Sequence, residues 1–467
     1  MVHLTIKKNA GSSFIKQIYE QIRQLIFGGD LQAGEKIPST REMALHLNVS
    51  RNTVIEAYEM LIAEGYLESI PGTGIFVAPG AQLTDRPRVE TADYQFSAFA
   101  TAEIPAATIF FHTGTPAVDL FPRSKWNQVA SRAFLEAPAA ALGYDAPQGR
   151  PELRHVLAGY LKKTRGVRCH PDQILITTGA KQALTLIAKC LLTPEREAWI
   201  EDPANSNVRA IFAYHTPAVL PIPVDAEGIR TDRLPPDRKP ALIFTTPSHQ
   251  YPLGGVLSIQ RRLELLRFAA RTGCYLVEDD YDSEFRYRGL PVGSLQEFDG
   301  HRVIYIGTFS KTLFPSLRLG YLVLPEALAP QFREWKRLGD HHTNSLSQLA
   351  LARFIGDGSL ERHIARMRKI YRQRRDKLIQ CLTASFPGRV KISGETAGMH
   401  LVAEFAGMDF GPDFKARLEQ NGVIAATVAE HTMADAESDN QLILGYAHLS
   451  PERIEEGVGR IKEVLGS

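Results

Sequence analysis

Residues 303–321 read Val303-Ile304-Tyr305-Ile306-Gly307-Thr308-Phe309-Ser310-Lys311-Thr312-Leu313-Phe314-Pro315-Ser316-Leu317-Arg318-Leu319-Gly320-Tyr321. The first four residues are apolar and β-prone, and a Gly-Thr-Phe-Ser turn then breaks the run. That is the pattern of a short strand buried on both faces. Runs of the same kind recur at Gln173–Thr177, Trp199–Glu201, Ala241–Thr245 and Tyr275–Glu278, with helical patterns between them. Such alternation predicts a mostly parallel sheet covered by helices, an α/β body over residues 107–467.

Three of these strand ends carry chemistry. Beyond the 303–306 run, Lys311 has Thr308, Ser310 and Arg318 around it. The run from Tyr275 ends in Glu278-Asp279-Asp280-Tyr281-Asp282, and the run ending at Thr177 leads through Thr178 into Gly179-Ala180-Lys181, where a helix opens. A helix N-terminus offers free N–H groups and the positive end of a dipole to an anion. Pyridoxal 5'-phosphate (PLP) asks for this set of groups. It needs a lysine amine for its imine, hydroxyls and an arginine for its phosphate, and a carboxylate to keep its pyridine nitrogen protonated. On that reading Lys311 forms the imine, while Thr308, Ser310, Arg318 and the turn Gly179-Ala180-Lys181 hold phosphate. Asp279 then faces the ring nitrogen and Tyr281 the phenolic oxygen. Taken alone, the carboxylates read equally well as a metal site or a solvated acidic turn, and the Gly179 turn as a plain strand-to-helix connection.

The first 78 residues carry a different pattern. Ile15, Ile18, Ile22, Leu25 and Ile26 share one helical face, which stops at Gly28-Gly29. Ser39-Thr40-Arg41-Glu42 is a capping-box start for a second helix, with Ala44 and Leu47 facing inward, and Ser50 caps a third with Val54, Ala57, Tyr58 and Leu61 on its buried side. Two short helices joined by a tight turn have the layout of a helix-turn-helix, in which Arg51, Asn52 and Thr53 stand where base edges are read. Leu67–Ile70 and Ile75–Val77 bracket Pro71-Gly72-Thr73-Gly74, a hairpin with a glycine-rich tip whose N–H groups can approach phosphate. A small helical bundle is the plainer reading. Charge does not decide between them, because residues 1–78 hold seven Lys/Arg and eight Asp/Glu.

The fold class expected is an all-α/winged-helix head joined to an α/β body. Residues 1–78 form the head, 79–106 a linker and 107–467 the body. With a formal net charge of +2 over 467 residues, composition points to no nucleic-acid, membrane or acidic partner by itself. Cys169, Cys190, Cys274 and Cys381 show no metal-ligand spacing, so free buried thiols and no metal are expected. No signal peptide or membrane span is legible, and the expected location is the cytoplasm.

Ile37-Pro38-Ser39-Thr40-Arg41-Glu42-Met43-Ala44, Val49-Ser50-Arg51-Asn52-Thr53-Val54 and Leu61-Ile62-Ala63-Glu64-Gly65-Tyr66-Leu67 resemble the GntR-type winged helix. That resemblance implies DNA contact at Arg41, Arg51 and the wing glycines Gly72 and Gly74. Gly307-Thr308-Phe309-Ser310-Lys311 and Glu278–Phe285 resemble fold-type I PLP enzymes, the aminotransferase family. So do Leu142-Gly143-Tyr144, Thr246–Pro252 and Gly398-Met399-His400-Leu401. Head and body together resemble the MocR (GabR-like) regulators, a match spanning essentially the whole chain. It implies promoter binding, a domain-swapped homodimer and an amine, amino-acid-like or dipeptide effector sensed through Lys311, or PLP itself as effector. An active aminotransferase with an appended DNA-binding domain is the alternative.

The chain departs from that family around the effector. Asn205 stands where an aromatic residue stacks on the cofactor ring, and Asn207 and Glu430 stand where arginines hold an effector carboxylate. Arg209 is the candidate replacement. Losing both cations removes the charge-assisted clamp for a simple amino acid.

Overall fold

A computed structural model describes residues 4–7, 11–81, 107–289, 292–411, 413–433 and 439–466. The chain divides into two compact units, residues 1–103 and 104–467. Most of the expected linker, residues 82–106, lies outside the described residues.

The first unit is a winged helix. Helix α1 (Phe14–Gly28) starts at Ser13, whose hydroxyl accepts from the Lys16 amide, and stops at Gly29 in the left-handed conformation. Strand β1 (Lys36–Ile37) precedes α2 (Thr40–Leu47), where both halves of the Ser39–Glu42 capping box are formed. Helix α3 (Arg51–Ala63) is capped by Ser50, and β2 (Leu67–Ile70) and β3 (Gly74–Val77) form the hairpin. The strand order is β1-β3-β2, so the wing belongs to a three-stranded sheet. The head is therefore not all-α. Two residues of β1 become a strand only by pairing with Ile75 and Phe76, a contact that their own sequence does not announce. Ile18, Ile22, Ile26, Val54, Ala57, Tyr58 and Leu61 fill the core, as their helical spacing requires.

The second unit opens with β4 (Ile109–Phe110) and continues through helices α4 (Arg123–Leu135) and α5 (Pro151–Arg165). Its main sheet contains β5 (Ile174–Thr177), β6 (Ala198–Asp202), β7 (Val219–Asp225), β8 (Gly228–Ile229), β9 (Leu242–Thr245), β10 (Tyr275–Asp280), β11 (Val303–Thr308) and β12 (Gly320–Val323). Their order is β5-β12-β11-β10-β9-β6-β7-β8. Strands β11, β10, β9, β6 and β7 run parallel, whereas β12 runs against both β11 and β5. Helices α6 (Ala180–Leu191), α7 (Ser206–Ala213), α8 (Ile259–Thr272) and α9 (Ala329–Asp340) cover it. Alternate residues of one strand enter different cores: Ile304 and Ile306 join one apolar cluster, Val303 a second and Tyr305 a third. This two-sided burial explains why the strands read as continuous apolar runs. Helices α10 (Ser345–Gly356) and α11 (Ser359–Ser385) lead to β13 (Val390–Ser393) and β14 (His400–Phe405). Then come α12 (Phe414–Gln420), β15 (Val423–Ile424), β16 (Ala426–Thr427), β17 (Gln441–Gly445) and α13 (Pro451–Leu465). Strands β13, β14, β17 and β16 form a second sheet, and β15 pairs with β4.

Among the described residues no helix is long and apolar enough to cross a membrane. All four cysteines are free, but only Cys274 is fully buried; the other three are half-buried.

Candidate functional site

The carboxyl ends of the parallel strands meet at a cavity of about 220 Å³. Because β12 runs the other way, its first residue, Gly320, lies beside both Thr308 and Thr177. That reversal delivers Arg318 to the edge where β5, β10 and β11 end. The approach is tight. A Cβ on Gly320 would lie 2.9 Å from the Gly179 Cα and 3.0 Å from the Gly307 carbonyl oxygen, so no side chain fits between these strand ends.

Of the expected cofactor residues, Lys311, Asp279, Tyr281, Ala180, Lys181, Thr308, Ser310 and Arg318 line the cavity. Gly179 is buried behind the last of these, at the N-cap of α6 with φ of 110°, and a Cβ there would meet the Arg318 guanidinium at 3.2 Å. Thr308 Oγ1 donates to Ser310 Oγ at 3.1 Å and accepts from the Ser310 amide at 3.2 Å, which fixes both hydroxyls beside Lys311. Burial lowers the Lys311 pKa, against the opposing pull of Asp282 and Asp279. Desolvation thus favours the neutral, nucleophilic amine. Gly114, with φ of 71°, keeps open the space beside it, since a Cβ there would lie 2.5 Å from the Lys311 Nζ.

Asp279 gives the clearest test of whether the cofactor fits. It lines the cavity, yet its Oδ1 is shut off from solvent and has no hydrogen-bond partner. Burial, followed by the charge of Asp280, pushes its pKa up to about 7. A buried carboxylate with an open acceptor is costly unless a donor or cation arrives to meet it. A protonated pyridine nitrogen is such a donor. The anion-binding set lies around the same space: two hydroxyls, Arg318, and the start of α6. The residues present therefore fit PLP.

Thr113, Gly114, Glu201, Tyr251 and His400 also line the cavity, although no role follows from their sequence context. Glu201 is held by Thr245, Thr246 and Gln250. Asn205 lines the cavity as well, with its Oδ1 accepting from the Asn207 amide at 3.0 Å at the start of α7. Three expected effector contacts are not brought there. Asn207 and Arg209 are exposed on α7, and Glu430 is turned to Lys415 at 3.0 Å and the Thr427 amide at 3.1 Å. None of the three lines the cavity. The first turn of α7 carries Asn207 and Arg209 outward, because inward-facing Val208 claims the core side.

In the head, Arg41, Arg51, Asn52, Gly72 and Thr73 are exposed, and Thr53 and Gly74 are half-buried. Arg51 and Asn52 open α3, whereas the Thr53 hydroxyl is engaged with Ser50 Oγ at 2.8 Å. Arg51 Nε lies 3.5 Å from Thr40 Oγ1, so the first turns of α2 and α3 meet.

Residues 14–77 match the gntR family of bacterial regulatory proteins, and residues 114–461 match the class I and II aminotransferases. The chain is 35% identical to the "Probable rhizopine catabolism regulatory protein MocR" of Rhizobium meliloti, over 99% of this chain and 96% of that one. The chain belongs to the MocR-type regulators. It is also 30% identical to the HTH-type pyridoxine biosynthesis transcriptional regulator PdxR of Corynebacterium glutamicum, over 95% of this chain and 94% of that one. Among solved structures, the body resembles LysN, the α-aminoadipate aminotransferase of Thermus thermophilus, complexed with N-(5'-phosphopyridoxyl)-L-leucine. That match has a TM-score of 0.70 at 30% identity and covers 78% of this chain and 94% of that one. The kynurenine aminotransferase of Pyrococcus horikoshii matches with a TM-score of 0.72 at 28% identity, covering 78% and 91%. MocR-type membership accounts for both halves of the chain, since the head matches one family and the body the other.

Proposed function

We propose that this chain is a PLP-dependent transcription regulator that binds promoter DNA through its winged-helix head and senses an amine in the cavity of its body. The observation that carries the reading is the unpartnered, buried Oδ1 of Asp279, in the same cavity as Lys311 and in a chain with a gntR-type head. When bound, PLP supplies an aldehyde for a lysine amine and a ring that draws in electrons. Lys311, whose pKa burial lowers, is the amine. Asp279 accepts from the ring nitrogen. Thr308, Ser310, Arg318 and the start of α6 bind the phosphate, and Tyr281 meets the phenolic oxygen. Arg41, Arg51, Asn52, Thr53 and the wing residues Gly72, Thr73 and Gly74 face DNA.

The effector is not a short ω-amino-acid zwitterion but a longer amine such as a dipeptide, an acylated amine, or PLP itself. Support comes from the lining, whose cations Lys181, Lys311 and Arg318 all belong to the cofactor set. The chain works in the cytoplasm as a domain-swapped homodimer. Exposed apolar side chains on the body, Leu135 and Tyr144 at 81% and 88% exposure, support a further partner surface.

Footprinting the DNA upstream of the chain's own gene, with and without PLP and candidate amines, tests this function. Protection that changes on adding an amine supports it, and protection indifferent to both ligands refutes sensing. Catalytic turnover is not its function; sustained keto-acid release from an amino acid would establish the enzyme instead.

A further inference from the structure

The Tyr281 phenol does not stand alone. Its oxygen lies 3.0 Å from His249 Nδ1, and its hydroxyl donates to the His249 carbonyl oxygen at 3.0 Å. The same Nδ1 lies 3.2 Å from each carboxylate oxygen of Asp282. Both side chains of this pair are 1% exposed. Gly398 makes the room: a Cβ there would lie 2.2 Å from the His249 ring and 2.5 Å from Asp282 Oδ2.

We propose that His249 and Asp282 are a positioning pair behind Tyr281. The imidazolium donates from Nδ1 to the phenol oxygen, which strengthens the phenol as a donor. The phenol's one proton turns from the His249 carbonyl to the more strongly accepting phenolic oxygen of the cofactor when that is bound. The inference rests on the PLP reading above and adds two residues that do not touch the cavity. A phenol accepting from a cation is a stronger donor, so it withdraws more charge from the oxygen it meets. That oxygen in turn is the internal acceptor for the proton on the Lys311 nitrogen, whose affinity for its proton falls as the oxygen loses charge.

The charges around His249 are consistent with its being protonated. Burial alone would lower its pKa, but the charge and hydrogen bond of Asp282 outweigh burial and raise it. His400, whose ring centre is 5.0 Å away, is pushed down to about 4 by burial and then by His249, so of the two rings His249 is the one that favours a proton. Arg286 opposes the charge on His249, while Asp282 and Asp279 pull in favour of a protonated Lys311. His249, Asp282 and His400 offer ligand atoms within 4.8 Å of one another, a spacing that also suits a cation. Their existing bonds argue for the pair, since His400 Nε2 is committed to the Pro252 carbonyl oxygen at 3.0 Å.

The test follows the absorbance band near ~420 nm of the PLP-loaded full chain as a function of pH. His249→Gln removes the charge at similar size, and its midpoint is expected to rise by about one pH unit. Asp282→Asn leaves His249 buried without its counter-charge, which raises the midpoint, but it also removes Asp282's own pull toward a protonated Lys311, which lowers it. Its rise is therefore smaller than that of H249Q, and the double variant shifts no further than H249Q. Should H249Q fail to fold, His249→Asn, which also removes the charge and leaves Asp282 in place, carries the prediction. An unmoved midpoint in a loaded variant, additive shifts, or a shift of the wild type on adding a chelator would each overturn the pair. A wild-type chain that never develops the band removes the PLP reading and this inference with it.

Discussion

Asp279→Asn separates what the cavity costs the fold from what it gives the ligand. An unfolded Asp279 ionises near its ordinary value of 3.8, whereas the folded one holds its proton up to about 7. Between those values the folded chain binds more protons than the unfolded one, so raising the pH destabilises the empty body. At about 1.4 kcal/mol per pKa unit the loss approaches ~4 kcal/mol by pH 8. Asparagine has the same shape and no such loss, but it buries an amide donor without a partner, which costs about 1–3 kcal/mol at every pH. The variant is therefore the less stable protein near pH 4–5 and the more stable by about 1–3 kcal/mol at pH 8. Glu278 and Glu284, pushed to about 7 and about 8 mainly by burial, titrate in both proteins and cancel in the comparison. Urea unfolding of the cofactor-free chain, followed by tryptophan fluorescence, is the assay. All three tryptophans, Trp126, Trp199 and Trp335, lie in the body, so the head is silent. The ranking reverses for cofactor, which D279N holds more weakly because the ring nitrogen loses its carboxylate. A gap that stays constant with pH, or a variant less stable at pH 8, refutes the reasoning.

Lys311→Ala leaves the body folded but abolishes the band near ~420 nm and its fixation by borohydride; a retained, fixable band would mean that another amine holds the cofactor. Arg51→Ala at the start of α3 weakens specific DNA binding by about 1–3 kcal/mol and narrows the gap to non-specific DNA, which titration against operator and random duplexes at fixed salt measures. Equal losses on both duplexes would reassign Arg51 to the backbone. Ser39→Ala removes half of the capping box and costs α2 about 1 kcal/mol, seen as roughly fivefold faster amide exchange in α2 with the body unchanged.

The legible parts of this chain are those in which local pattern and tertiary demand agree. Ser39 and Ser50 announce α2 and α3 because a cap acts within three residues. The strands flanking the cavity are legible because burial on both faces leaves no polar alternation to confuse the reading. The sequence also places Lys311, Asp279 and Gly179 at strand ends. What it does not show is who else arrives. Thr113 and Gly114 reach the cavity because β4 pairs with β15, far along the chain, and no local signal marks that pairing. The positions matched to effector-holding arginines fail for a related reason. Asn207 and Glu430 occupy the right places in an alignment, but side-chain direction is set by the helix and by Lys415, not by sequence spacing.

Local preference is also overridden at the cavity, in a way that its ligand answers. Arg318 holds a φ of 51°, which few bulky residues adopt, and Gly179 a φ of 110° that suits glycine almost alone. Asp279 keeps an acceptor unmet. Each is a cost to the empty protein, and each is removed or turned to use by a phosphorylated, cationic ring: guanidinium and helix start meet the anion, and the carboxylate meets the ring nitrogen. A fold that leaves unfavourable groups facing a binding space stores part of its stability in the ligand that fills it. The body should therefore gain more from PLP at pH 8 than at pH 5.5, because only the ionised Asp279 gives the ring nitrogen a full counter-charge.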